Sequence, residues 1–276
     1  MEFCMNVKIS LAGDLGSGKS TVADILIREL GAEYYCTGAI VRSIAASRGM
    51  TVVELNHYME THPEIDHEID DGLKALADVD KSMVIDSRMA WHFTEGTFKV
   101  YLSTDPETSA LRIMHANRAG EHASSLEQTV AETRARRASE RKRYMTQYGV
   151  DIKDLANYDL IVDTTIATPS EVANAIIVSL HEWLERPKKL AYVSPERLNY
   201  PDDEADMDLV GEYTGVLDSG LDIPEVEIFD EDGEFFISAN AESAIAHAFE
   251  GERFVPCKLV RGSSAGKNYV KMKNSL

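Results

Sequence analysis

Cysteine, basic charge and long apolar runs are all scarce in this chain, and each shortage excludes something. Only three of the 276 residues are cysteine, Cys4, Cys36 and Cys257, and no two form a C-x-x-C pair. That pattern suits a reduced cytoplasm and argues against a disulfide framework or a zinc site. The eight histidines include no H-E-x-x-H arrangement, so they read as ordinary surface or core residues. No apolar run approaches the roughly 18 residues that a membrane span requires. The start, MEFCMNVKIS, lacks a signal peptide's basic opening, long apolar centre and small-residue cleavage site. A cytoplasmic protein with no membrane association is expected. Lys and Arg number 28 against 47 Asp and Glu, a formal net charge of −19. A nucleic-acid polymer is therefore not an expected partner, because phosphate backbones are held by clustered cations. A small anionic substrate stays open wherever positive charge is gathered locally. With 44% hydrophobic and 27% charged residues, the composition is that of a soluble globular protein of one large or two modest domains.

What is present begins at GDLGSGKST, Gly13 to Thr21, directly after the apolar run VKISLA. The spacing is G-x-x-x-x-G-K-S. Its glycines let consecutive backbone N–H groups turn inward on an anion, and the helix that follows adds its partial positive N-terminus. Gly13, Asp14, Leu15, Gly16, Ser17, Gly18, Lys19, Ser20 and Thr21 are expected to hold the phosphates of a nucleoside triphosphate. Lys19 would reach the terminal phosphates, and the Ser20 hydroxyl would ligate Mg²⁺. The alternative, a glycine-rich turn that merely precedes a helix, is disfavoured by the strand-like run before it and TVADILIREL after it.

Along the chain, strands alternate with helices. VKISLAG, YYC, SMVID, FKVYLST and DLIVDTT read as strands. Helical patterns cover Ser20–Leu30, Gly38–Arg48, TVVELNHYM, EIDHEIDDGLKALAD, ETSALRIMHANR, SLEQTVAETRARRASERKRYMTQY and SEVANAIIVSLHEWL. In EIDHEIDDGLKALAD the stripe is Ile65, Ile69, Leu73 and Leu76. Such alternation predicts a parallel sheet covered on both faces, with ligands at the carboxyl ends of the strands. The Gly13–Thr21 loop, YYCTG, VIDSR and YLSTD all fall at such ends. After ERPKKLAYVSP the texture changes, with 18 acidic against 7 basic residues from Ala191 onward. A helix MDLVGEYTGVL, strands PEVEIFD and EFFIS around a DEDG turn, a helix AESAIAHAFEG and a strand FVPCKLV predict a second, small α+β domain. The expected division is 1–187, 188–262 and a flexible tail over 263–276.

Three further segments carry candidate chemistry. CTGAIVR places Thr37 and Gly38 at a strand end and Arg42 one helical turn later, where a guanidinium can pair with a phosphate or lie on a solvated surface. VIDSRMAWH ends a strand at Asp86, which can hold Mg²⁺, cap the next helix, or do both; Arg88 follows. RARRASERKR, Arg134 to Arg143, has six basic residues in ten, with Arg134, Arg137 and Arg141 on one face. Arginines that offset the charge of two nucleotides are one reading. A solvated helix with pairs such as Arg136–Glu140 is the other.

Together with the Gly13–Thr21 loop, the T-G-x-x-x-R segment, GMTVVELNHYMETHPEIDHEID, VIDSRMAW, S-E-R-K-R-Y and YGVDIKDLANYDLIVDTT resemble the short, archaeal-type cytidylate kinases, within the nucleoside monophosphate kinases. The resemblance covers residues 6–185. It implies a P-loop kinase fold, a three-layer αβα arrangement around a parallel sheet, with a mobile acceptor-binding region and an arginine-bearing lid. It also implies ATP and Mg²⁺, and phosphorylation of CMP or dCMP. By the same resemblance Thr37, Gly38, Arg42 and Arg88 would hold the acceptor phosphate, and Arg118 would serve the donor. Lys19, Arg88, Arg137 and Arg141 would act on the transferring group, Ser20 and Asp86 on the metal, and Asp66 and Asp70 near the acceptor base. Ala39, where many relatives have an acidic residue, and VIDSR in place of E-G-R depart from the pattern. Val193–Val260 resembles a ParB-like domain, the fold shared with sulfiredoxin, but SANAESA replaces the G-H-x-R-type motif. A degenerate module for regulation or protein contact is expected there. Two other functions stay open: a nucleotide sensor whose acidic part recruits a partner, and a kinase for AMP, UMP or a non-nucleotide hydroxyl.

Overall fold

The computed structural model describes residues 6–115, 125–202 and 205–271. The first part of the chain forms β1 (Lys8–Gly13), α1 (Lys19–Leu30), β2 (Glu33–Cys36), α2 (Thr37–Ser47), α3 (Val52–Met59), α4 (Glu64–Ala75), β3 (Met83–Asp86), α5 (Ala90–Phe93), β4 (Phe98–Ser103), α6 (Pro106–His115), α7 (Leu126–Tyr148), β5 (Leu160–Asp163) and α8 (Pro169–Glu185). The helix ends carry their own stop signals. Thr51 with Glu54 and Thr168 with Glu171 form reciprocal capping boxes at the starts of α3 and α8. Gly31 and Gly149 close α1 and α7 in the left-handed conformation.

β2, β3, β1, β4 and β5 pair in parallel. β1 lies between β3 and β4, so the strand order reverses at its carboxyl end, where a crevice opens. The register brings Cys36 and Leu11 opposite Asp86, Gly13 opposite Leu102 and Ser103 opposite Asp163. The expected strand ends therefore meet along one rim. Alternation along the strands divides the core. Ile9, Leu11, Val100, Leu102, Leu160 and Val162 pack with Val22, Leu26, Ile176 and Leu180 of α1 and α8. On the other side Met83 and Ile85 meet Leu55, Met59, Leu73 and Tyr144 of the α3, α4 and α7 layer. Each fully buried aliphatic side chain of this kind stabilises the fold by about 1.5–3 kcal/mol.

The acidic second part forms β6 (Leu190–Val193), β7 (Leu198–Pro201), α9 (Met207–Asp218), β8 (Val226–Glu231), β9 (Glu234–Ala239), α10 (Ala241–Phe249), β10 (Val255–Leu259) and β11 (Tyr269–Lys271). Its strands do not stand apart. β6 pairs in parallel with β5, and the eleven strands of the described residues form one sheet, in the order β11-β7-β9-β8-β10-β6-β5-β4-β1-β3-β2. Ile161 of β5 shares a buried cluster with Val193, Leu198, Val226, Ile237 and Val255. A buried pair crosses the join as well: Arg197 stands 3.7 Å from Asp163 and donates to Gly233 O at 2.7 Å. Within 263–276, expected to be a flexible tail, β11 pairs antiparallel with β7. Tyr269 packs edge-on against Phe236, 5.0 Å between ring centroids, and Lys271 bonds Glu234 at 2.5 Å. Those contacts order a segment that has no periodicity of its own. Among the described residues no helix is long and apolar enough to cross a membrane.

Candidate active site

The loop between β1 and α1 wraps around its own lysine. Lys19 Nζ donates to Asp14 O at 2.6 Å and Gly13 O at 3.1 Å, and Ser17 Oγ donates to Asp14 O at 2.8 Å. Glycine is required at two points. A Cβ on Gly13 would stand 2.4 Å from Leu102 O, and one on Gly16 2.5 Å from Ser109 O, both backbone atoms that cannot yield. Both glycines also have positive φ. Burial, and then the neighbouring Arg88 guanidinium, push the Lys19 ammonium down to about 7, against the pull of Asp86, Asp14 and Glu140. An arriving phosphate would favour the charged form that burial disfavours.

Two cavities flank this loop. One, of about 270 Å³, lies against Gly16, Ser17, Thr21, Arg112, Thr164 and Pro169. Arg112 Nη2 donates there to Thr164 O at 2.7 Å. The other is a cleft of about 510 Å³ that joins Lys19 and Ser20 to Thr37, Gly38, Arg42, Asp86, Arg88, Arg136 and Arg143. Thr37 starts α2 and donates to Asp86 O at 3.4 Å, and Arg42 folds back so that its Nη1 lies 3.4 Å from where a Gly38 Cβ would be. Arg88 spans the cleft floor, Nη1 donating to Gly13 O at 2.9 Å and Nε to Glu140 Oε2 at 3.0 Å. Glu140 also accepts from Arg136 Nε at 3.2 Å. Burial opposes charge on Glu140, but Arg88 and Arg136 outweigh it and hold the carboxyl down at about 2.

Asp86 accepts from Tyr34 OH at 3.1 Å and borders the same cleft as Ser20. A hydroxyl and a carboxylate are hard oxygen donors, the set Mg²⁺ takes when phosphates complete its shell, so the residues fit that ion. No cluster of three metal-ligating side chains exists among the described residues.

The structure redistributes several expected site residues. Asp66 does not line the cleft; it is buried against Arg143, Nε to Oδ2 3.1 Å, and Arg143 reaches the cleft in its place. Asp70 is also withdrawn, accepting from Tyr148 OH, and burial pushes its carboxyl up to about 6. Arg141 turns from the cleft to make a two-pronged pair with Asp151, 2.9 and 2.5 Å. The cause is helical geometry. Arg136, Glu140 and Arg143 share one face of α7, and each step of one residue rotates a side chain by about 100°, so Arg137 and Arg141 look elsewhere. Arg137 does not line the cleft and stands 3.4 Å from the Asp14 carboxylate. That carboxylate also accepts from Tyr101 OH at 2.8 Å, Thr104 N at 3.1 Å and Lys153 Nζ at 2.7 Å. Burial works against its charge, but Lys153 and then Arg137 keep it well below the usual carboxylate range. Asp14 thus joins the loop by its backbone and anchors it by its side chain. Arg118 lies outside the described residues. Arg112, Arg136, Glu140, Arg143 and Lys153 were not singled out from the sequence. Only Arg136–Glu140 had a signal there, as an i,i+4 pair.

A phosphate-wrapping loop at the switch point of a parallel sheet, with arginines converging from α2, α7 and the β3–α5 turn, defines a P-loop phosphotransferase. Residues 9–144 match a family model described as "AAA domain". The chain is 38% identical to a cytidylate kinase of Archaeoglobus fulgidus over 57% of its own length and 86% of that protein's. It is 34% identical to a cytidylate kinase of Thermoplasma volcanium over 64% of its length and 92% of the other. A solved shikimate kinase from Bacteroides thetaiotaomicron aligns at 14% identity with a TM-score of 0.45, over 65% of this chain and 98% of that one. The chain belongs to the cytidylate kinase family and is a nucleoside monophosphate kinase.

Proposed function

We propose that the protein transfers the γ-phosphoryl group of ATP to CMP or dCMP, releasing ADP and the diphosphate. The observation that carries this reading is the single cleft in which Lys19 and Ser20 face Arg42, Arg88, Arg136 and Arg143. Two polyanions meet there in a chain that is otherwise strongly acidic. The loop N–H groups and Lys19 take the donor phosphates, and the cavity beside Arg112 and Thr164 takes the donor base. Thr37, Arg42 and Arg88 take the acceptor phosphate. Arg88 and Arg136, both held by Glu140, sit where negative charge accumulates during transfer. Ser20 and Asp86 would hold Mg²⁺, which when bound neutralises charge on the donor phosphates. No separate base is needed, because the attacking phosphate oxygen is already an anion and positioning does most of the work. Asn56, Arg143 and Tyr144 border the acceptor cleft and are assigned to the base, with Asp66 acting only by orienting Arg143.

A coupled assay of ADP release with ATP and each of CMP, dCMP, UMP and AMP tests the reading. Stimulation by CMP or dCMP above the other two is the expected result. Turnover only with AMP or UMP would reassign the acceptor, and no stimulated turnover with any of them would overturn the proposal.

A further inference from the structure

The face of α7 that turns from the cleft looks across a cavity of about 1240 Å³ to the β8–β9 hairpin. The cavity is polarised. Cations outnumber anions on the kinase side, where Arg134, Arg137 and Lys153 stand with Asp14, and anions outnumber cations on the hairpin side, where Asp230 and Asp232 stand with Arg261. Both walls carry a buried polar atom with no hydrogen-bond partner, Arg137 Nε on one and Asp230 Oδ1 on the other, while Arg137 Nη2 is turned to the Asp14 carboxylate at 3.4 Å. Buried polar groups are almost always satisfied, so such atoms on facing walls call for something between them. We propose that this cavity is a second ligand site, taking a phosphate ester with an amine- or hydroxyl-bearing head, the chemistry shared by a nucleotide and a sugar phosphate. The phosphate bonds Arg134 and Arg137, and the head donates to Asp230. Arg137 and Lys153 also hold Asp14, so a ligand that draws on them is felt in the phosphate-binding loop. The site goes beyond the kinase reading and uses none of the cleft around Lys19.

Calorimetric titration of the full chain carrying Lys19→Ala and Arg42→Ala, which disables both ends of the kinase cleft, tests this with CMP in one arm and ribose 5-phosphate in the other. Saturable binding at one equivalent is expected, weakened at least tenfold by adding Arg134→Ala or Asp230→Asn, in line with loss of a charge-assisted hydrogen bond. The tighter of the two ligands identifies the source. Arg134 is exposed, so its substitution leaves folding intact, and a melting curve on each variant verifies that. Binding of neither ligand, or binding indifferent to Arg134→Ala, overturns the proposal. The acceptor assay on the unaltered protein reports separately on the kinase reading.

Discussion

Glu140→Gln is the substitution that most directly probes the acceptor cleft. Glu140 is 5% exposed and lies between Arg88 and Arg136, 3.0 and 3.2 Å away. Glutamine keeps the shape and one acceptor oxygen but removes the charge, so the two guanidinium groups lose the carboxylate that lies between them. Holding a carboxyl at about 2 rather than its ordinary 4.5 corresponds to about 3 kcal/mol of preferential stabilisation of the charged form. That agrees with the roughly 3–5 kcal/mol lost when one partner of a buried pair is removed. Urea unfolding at pH 7.5 should therefore show a loss of about 3 kcal/mol, and the melting temperature should fall by about 6–12 °C. The sign of the pH dependence follows from a depressed carboxyl. The contribution is complete above about 4.5 and fades as pH falls toward 2, so the gap between the two proteins should narrow over that interval. KM for the acceptor should rise at least tenfold, because Arg88 loses the group that aims it. A loss under about 1 kcal/mol at pH 7.5 with an unchanged acceptor KM would refute the reasoning.

Lys19→Ala should lower kcat by about 10³-fold or more with the melting temperature unchanged, since among the described residues the lysine's hydrogen bonds go to its own loop. Because the free ammonium is held down at about 7, its charged form predominates below that pH. kcat/KM for the donor should fall as pH rises through about 7, while kcat, which reports the nucleotide-bound protein, stays level to higher pH. Arg42→Ala should raise acceptor KM by about 10–100-fold and leave donor KM within about twofold, read from initial rates at crossed concentrations. Asp70 has a raised carboxyl, so its neutral form is favoured in the fold and stability is lost as pH rises from about 4 to about 6. Asp70→Asn should cancel that loss and gain on the order of 1 kcal/mol at pH 8, measured by urea unfolding at pH 4 and pH 8.

The phosphate loop was legible because its chemistry tolerates little else. Gly13 and Gly16 abut backbone carbonyls, and Lys19 follows at a spacing that returns its ammonium to Gly13 O and Asp14 O. The strand ends at Asp86 and Ser103 were equally readable, since continuous apolar runs mark buried parallel strands. The arginine helix was half legible. Its charge density pointed to a site, but choosing between Arg137 with Arg141 and Arg136 with Arg143 needs the helix's rotation against α3 and β3, which a solvated-looking sequence does not carry. Asp66 and Asp70 had the right spacing to share a face, yet that face is buried against Arg143 and Tyr148. Lys153 lies 139 residues from Asp14, and no local pattern links the two. The junction of β5 with β6 was equally hidden, because LAYV reads the same whether its strand extends an old sheet or begins a new one.

That junction governs how the gene can be cut. Leu160–Asp163 is buried along its whole length, and the partner that covers its outer edge comes from beyond the last helix of the kinase segment. A truncation after α8 would strip the partner from three residues of β5, Leu160 to Val162, and expose Ile161, a sticky seam inviting self-association. The acidic extension is thus a sidewall of the catalytic half, and the two are expected to melt together.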